Sequence, residues 1–392
     1  MLLNKYNYFL QNLFSFCGFI FNRIILLLFT SKEETKKNIL FVTTSGLGDF
    51  FFATSIIETI NKNNLQFNLF FLVKSDHLSF LDDINLNKYN ITTIGIDYKK
   101  YKYNIKYRIK LLYNLLKHEF CEVYNLNPNR RIIDDDITLN SGAFRKYALY
   151  KIDHEFQRLF KNFFDNYFYD EVLLNRKQFY SDDLEYLLIN KFKMRKIYLK
   201  KIYINSNKCY NFIIKIKREL SLSNYVVIQF YGSSRLKSFE ENLNKMLINV
   251  LKSSFKILLI GSKSEVNTLE NYCYDKKVIN LAGKLNILEA IYLLKESSIF
   301  IGIDSSFAHF ARYFNIPRLL ILGGGGYNLM FPKIIYDDNS KYNEKVLYYK
   351  TNCFGCLWQC QNIIQGECIK KIESNYIINE LKKLIKTIGD NK

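Results

Sequence analysis

Three short stretches of this 392-residue chain gather residue types that can hold phosphate or move protons. The first, Ser45-Gly46-Leu47-Gly48-Asp49, sets Gly46 and Gly48 ahead of a carboxylate. Glycines let a backbone approach a ligand closely, and Asp49 at a helix start can take a proton or simply cap the helix. Ala53 stands where a dinucleotide fingerprint would put its third glycine, and no acidic residue closes the next strand. The second stretch runs from Gly232 through Ser233, Ser234, Arg235 and Leu236 to Lys237. It offers hydroxyls, backbone N–H groups and an ammonium after a buried strand, a setting that suits a diphosphate or an ordinary Ser-capped turn. The third, Gly302-Ile303-Asp304-Ser305-Ser306-Phe307-Ala308-His309, turns from strand into helix. Residues 304–306 can donate N–H groups from the first helical turn, and His309 lies one turn on, on the side of Ser305. A histidine there is usually structural, but its place on an anion-friendly helix start favours ligand contact.

Four cysteines, Cys353, Cys356, Cys360 and Cys368, have the density of a metal site for zinc or an iron–sulfur cluster, in a spacing that matches no common ligand pattern. The remaining four, Cys17, Cys121, Cys209 and Cys273, stand singly in apolar stretches, as buried free thiols of a reducing compartment do. Asp134-Asp135-Asp136 is an acidic run without the Asp-x-Asp spacing of a metal-held diphosphate, and it reads as a solvated loop.

Elements that could position these groups follow a β-α rhythm. Residues from Asn38 read as strand, Gly turn, helix and strand, repeated more weakly over 110–123. The stretch 140–205 is aromatic, charged and mostly helical in pattern. From Tyr225 to Gly324, strands and helices alternate five times over, the pattern of a doubly wound parallel sheet. Ligands in such sheets bind beyond the carboxyl ends of the strands, so loops 231–237, 261–265 (with Glu265) and 302–309 are expected to converge. The organisation read from the sequence is a segment 1–37, an N-terminal α/β domain 38–205, a C-terminal α/β domain 206–372 and a last helix 373–392, with a cleft between two facing domains.

Residues 9–30 are apolar but interrupted by Gln11, Asn12, Asn22 and Arg23. Asn4, Tyr8, Gln11, Ser15, Gly18 and Asn22 recur at steps of three and four, giving a helix one narrow polar face. Such a helix can lie in a cytoplasmic leaflet with help from Lys32, Lys36 and Lys37, span the bilayer, or pack on the protein itself. The net charge of +19 favours anionic partners, but the basic residues are scattered rather than gathered into an aromatic-studded stripe, which speaks against nucleic acid. With no cleavage pattern after the apolar start, the cytoplasm is the expected location.

The stretches ILFVTTSGLGDFFFATSIIETI, VVIQFYGSSRLKSF, ILLIGSKSE and INLAGKLNILEAIYLLKESSIFIGIDSSFAHFARYFNIP, with the Cys-bearing tail, resemble glycosyltransferase family 9 in order and spacing over about 38–370. That family comprises ADP-heptose:lipopolysaccharide heptosyltransferases. The resemblance implies a GT-B fold and an inverting, metal-independent transfer from a nucleotide sugar, ADP-heptose being the expected donor. It implies an acceptor that is a lipid-linked saccharide at the inner face of the inner membrane, met through peripheral contact with anionic lipid. It makes Asp49 the general base. Ser233, Ser234, Lys237, Glu265, Asp304, Ser305 and His309 become donor contacts. Departures are Ser306 for a glycine, Phe239 near the usual tryptophan, and Gly323-Gly324-Gly325-Gly326 for the commoner Gly-Pro-Thr turn, which bear on donor identity. Two other readings stay open: transfer of another nucleotide-linked hexose, and a catalytically silent sugar-nucleotide binder at a membrane.

Overall fold

In the computed structural model of the chain, the described residues are 2–26, 37–62, 67–78, 91–128, 130–149, 155–173, 180–194, 207–232, 236–327, 344–356, 358, 360 and 366–390. The chain divides into two compact units, Met1–Ile204 and Asn205–Lys392.

The first unit holds six parallel strands: β1 (Asn38–Thr43), β2 (Asn68–Lys74), β3 (Ile91–Ile96), β4 (Glu122–Asn125), β5 (Arg145–Leu149) and β6 (Glu171–Leu173). Their order is β3-β2-β1-β4-β5-β6. Every residue of β1 is buried, as a central strand covered on both faces requires, and Ile39 pairs with Leu69 on one side and Glu122 on the other. The second unit repeats the plan with β7 (Tyr225–Ile228), β8 (Lys256–Leu259), β9 (Val278–Asn280), β10 (Ile299–Ile303), β11 (Arg318–Leu322) and β12 (Glu344–Tyr348), ordered β12-β11-β10-β7-β8-β9. Both orders reverse direction beside the first strand of the unit, between β1 and β4 and between β7 and β10. Each reversal opens a crevice at the strands' carboxyl ends. The expected α/β class with two doubly wound sheets is what forms.

Three strands lie where the sequence shows little strand character. β5 (RKYAL) and β6 (EVL) fall in the stretch read as helical, and β12 (EKVLY) carries charge at its start. Short strands that extend an existing sheet draw their stability from the neighbouring ladder, so their own composition says little.

Of the three placements open to the helix Leu2–Leu26, the structure shows it packed on the protein itself. Ser15, Phe19 and Asn22 point into the first unit, while Leu13, Phe14, Cys17, Ile20, Phe21 and Ile24 form an exposed ridge. Ser15 and Asn22 of the polar face are thus turned inward, while Gln11 stays exposed. Phe19 packs edge-on against Phe164 and Phe168 at 4.9 and 5.2 Å between ring centroids, and Phe16 lies 5.1 Å from Phe160. The aromatic pattern after residue 155 is the socket for this helix. Asn22 Nδ2 donates to both carboxylate oxygens of Asp136, each at 2.9 Å. Gly18 lies against Arg108, whose guanidinium would sit 2.3 Å from any Cβ added there.

Asp136 also corrects the reading of 134–136 as a solvated loop. The run lies in the helix Ile132–Leu139, in which every residue is buried. Each carboxylate has its own set of donors, which is the condition for burying three adjacent charges. We expect Asn22→Leu, which leaves Asp136 short of a donor, to cost ~1–3 kcal/mol. The check is a lower urea midpoint at unchanged slope; an unchanged midpoint would show that the helix contributes nothing through this contact.

Candidate active site

In the first unit the loops after β1 and β4 are tied together at the reversal point. Asn127 Oδ1 accepts from Thr44 N at 2.8 Å and from Ser45 Oγ at 2.6 Å. Asp134, fully buried, accepts from Thr44 Oγ1 at 2.5 Å, from Arg131 N at 2.8 Å and from the Tyr98 hydroxyl. Burial alone would raise its pKa, but Arg131 and these donors outweigh it and hold the carboxyl below its ordinary value. Asp135 pairs with Arg130 at 2.8 Å and accepts from Tyr169 at 2.7 Å; burial prevails over Arg130 and pushes it up to about 6. Asp136 is raised by burial and eased by Asn22 and Asn140.

This scaffold carries the Gly46–Asp49 turn. The helix Leu47–Lys62 begins inside it, so Asp49 stands in the first turn, and its Oδ2 accepts from Gly46 N at 3.1 Å. One oxygen therefore does the capping weighed from the sequence, and the residue is half-buried beside the crevice. Two cations missed in the sequence flank the place. Arg131 stacks on Tyr98 at 4.1 Å and donates to the Thr44 carbonyl at 3.2 Å. Lys74 ends β2, and burial together with Arg131 lowers its pKa against the pull of Asp134, Asp49 and Asp76. Neither belongs to a motif; only the parallel register brings them to this edge.

In the second unit a cavity of about 580 Å³ opens over the ends of β7, β8 and β9, lined among others by Gln229, Gly232, Glu265, Gly283, Asn286 and Phe307. Gly283 has φ +65, and a Cβ there would meet the Lys263 backbone at 3.0 Å, so only glycine brings the loops this close. Glu265 faces the cavity while its Oε2 accepts from Ser262 N at 2.7 Å. Ser233 and Ser234 lie outside the described residues. Lys237 borders the cavity at Gly232, whose N–H bonds the Lys237 carbonyl at 2.8 Å. Its ammonium is 3.2 Å from Asp304 Oδ2 and 3.3 Å from the Asp304 carbonyl oxygen. Ser305 caps the helix Ser306–Tyr313, accepting from Ala308 N at 3.4 Å, and donates to Gln229 Oε1 at 2.7 Å across the reversal point. The structure thus brings Lys237, Asp304, Ser305 and Glu265 to one rim.

His309 is placed differently. It is buried, and Arg312 of the same helix and Arg318 of β11 both bind Glu344 of β12. Burial pushes its pKa down to about 3, with Asp304 opposing and Arg312 and Lys237 adding to the fall. It is thus held neutral within the helix that Ser305 caps. Among the described residues no three ligand-type side chains are grouped to hold a metal ion. Cys368 Sγ instead accepts from Gly324 N at 3.2 Å, fastening the Cys-bearing segment to the glycine turn, and burial raises Cys356 to about 11.

Because folded His309 stays neutral to about pH 3 while an unfolded one takes a proton near 6.5, its contribution is complete above 6.5 and is lost as pH falls from there toward 3. The wild-type protein should lose roughly 2 kcal/mol between pH 7.5 and 5 through this group, and His309→Gln should lack that part of the loss. Equal pH slopes in urea unfolding would rule the buried neutral state out.

Comparisons with known proteins bear on the family and the fold. Residues 209–323 match the family described as glycosyltransferase family 9 (heptosyltransferase). Lipopolysaccharide heptosyltransferase 3 of Escherichia coli is 29% identical over 119 residues, 28% of this chain and 35% of that protein. The matched stretch is thus about a third of the relative's length. Two solved structures share the fold: E. coli ADP-heptose lps heptosyltransferase II, 14% identical, covering 89% of this chain and 99% of its own at TM-score 0.61; and a family 9 glycosyl transferase from Veillonella parvula, 12% identical, covering 91% and 100% at TM-score 0.66.

Proposed function

We propose that this chain, which carries the glycosyltransferase family 9 sequence over residues 209–323, transfers a heptose or related sugar from a nucleotide donor, ADP-heptose, to a lipopolysaccharide core or similar glycan. The observation that carries this reading is the rim formed by Lys237, Asp304 and Ser305 beside the cavity. It combines a held ammonium, a helix N-terminus and a nucleoside-sized space, which together suit a nucleoside diphosphate.

The chemistry follows from charge. Asp49 takes the proton of the acceptor hydroxyl as its oxygen attacks the anomeric carbon, and the C–O bond to the diphosphate breaks on the opposite face, inverting the centre. Negative charge gathers on the departing diphosphate, where Lys237 and the N–H groups opening the helix Ser306–Tyr313 neutralise it. These fixed charges serve where a metal would otherwise be needed. Asp49→Asn keeps the shape and removes the base, so turnover should fall about 100-fold or more with donor affinity nearly unchanged. Turnover measured against a panel of nucleotide sugars checks this and names the donor; undiminished turnover in the variant would leave Asp49 as a cap.

A lipid-linked acceptor places the enzyme at the cytoplasmic face of the inner membrane, and the exposed ridge of the N-terminal helix suits that surface. Phe14, Phe21 and Ile24 are 55%, 44% and 61% exposed. Beside them, where Lys102 reaches Gln11, the helix Ile105–Leu116 exposes Ile105, Ile109 and Tyr113 with Lys106 and Lys110. Apolar ridges edged by lysines match the boundary of an anionic bilayer. No helix among the described residues is long and apolar enough to cross one. Phe14→Ser with Phe21→Ser should abolish most sedimentation with phosphatidylglycerol vesicles while the unfolding midpoint holds, and binding by the parent should weaken with salt. Undiminished sedimentation of the double variant would take the ridge out of the contact.

A further inference from the structure

Trp358 is the chain's single tryptophan, and it sits in the Cys-bearing segment with φ +67, a backbone state costly for a bulky residue. Such strain persists only where packing fixes it. Its indole lies on the turn Gly323–Gly326: a Cβ at Gly323 or at Gly325 would stand 2.4 Å from ring atoms, so neither position can carry a side chain with the ring in place. At Gly326 a Cβ would stand 2.3 Å from Asp304 Oδ2. The segment is pinned on both sides of Trp358, by Gly355 N donating to the Gly324 carbonyl at 2.9 Å and by Cys368 Sγ accepting from Gly324 N at 3.2 Å.

The same indole faces Lys237. The ammonium is 4.6 Å from the ring centroid and 3.2 Å from Asp304 Oδ2. Lysine has a long flexible stem, and a ring face on one side with a carboxylate on the other restricts the positions its charge can take. Resting on the donor-site reading above, we propose that Trp358 is a positioning residue that holds the Lys237 ammonium where the donor's diphosphate meets it. The four-glycine turn is the space that seats it. A glycine run where the family more often has Gly-Pro-Thr and the lone tryptophan of the tail are then one paired feature.

With one tryptophan, emission near 340 nm reports on this place alone. In ligand-free protein, Lys237→Ala should change the emission intensity, because it removes the cation from the ring face. In calorimetric titrations with ADP, Trp358→Ala and Lys237→Ala should each weaken binding about tenfold, and the double variant should be no weaker than either single one to within about twofold, since both remove one coupled contact. Trp358→Phe keeps an aromatic face and should stay within about threefold of the parent. Gly325→Ala leaves the tryptophan in the sequence but displaces the ring, and should match Trp358→Ala even if that variant folds poorly. Losses that multiply to about 100-fold in the double variant would overturn the positioning role alone, as would emission unmoved by Lys237→Ala. A parent protein that binds neither ADP nor any other nucleoside diphosphate would overturn the donor-site reading itself, and the positioning role with it.

Discussion

Three adjacent buried carboxylates constrain the whole first unit. A charge taken out of water needs donors of its own, and Asp134, Asp135 and Asp136 project in three directions from one helix, so each recruits a different part of the chain. Asp134 gathers Thr44, Tyr98 and Arg131 and so sets the loop that leads into Asp49. Asp135 takes Arg130, Tyr169 and Asn125 and fixes the edge near β6. Asp136 takes Asn22, Tyr101 and Asn140 and holds the N-terminal helix. The geometry of the Gly46–Asp49 turn is therefore set by groups that never touch a substrate.

The second unit solves a similar problem with fewer charges. Glu344 enters on the edge strand and pairs with Arg312 and Arg318, one from the helix that bears Ser305 and one from β11. One carboxylate against two guanidiniums leaves this cluster with a net positive charge, and burial keeps His309 uncharged. The cationic character of the rim is left to Lys237, whose place depends on Asp304 and Trp358.

The parallel sheets were legible because buried central strands such as NILFVT and YVVI read as apolar runs between turn signals, and the motif loops fell where strand ends must lie. Lys237, Asp304 and Ser305 were legible for the same reason. What the sequence hid was partnership. A run of three aspartates looks solvated until Arg130, Arg131 and hydroxyl and amide donors from Asn22, Thr44, Tyr98, Tyr101 and Tyr169 are folded around it. A polar stripe on an apolar helix looks outward-facing until a buried carboxylate is found opposite Asn22. Lys74 and Arg131 belong to no motif, and Trp358 gains meaning only from the glycines beneath it. Periodicity gives the faces of an element but never names what each face touches.

The packing of the N-terminal helix also bears on how the protein is made. Asn22 and its carboxylate partner are 114 positions apart, and the Phe168 side of the aromatic socket is further still. At roughly 5 to 20 residues per second, the helix leaves the ribosome on the order of 6 to 23 s before its partner exists. Throughout that interval the apolar segment lacks the partners that bury it in the finished unit. The helix is thus made well before its partners and is among the last elements to be secured, and its final docking reports that the first unit is complete.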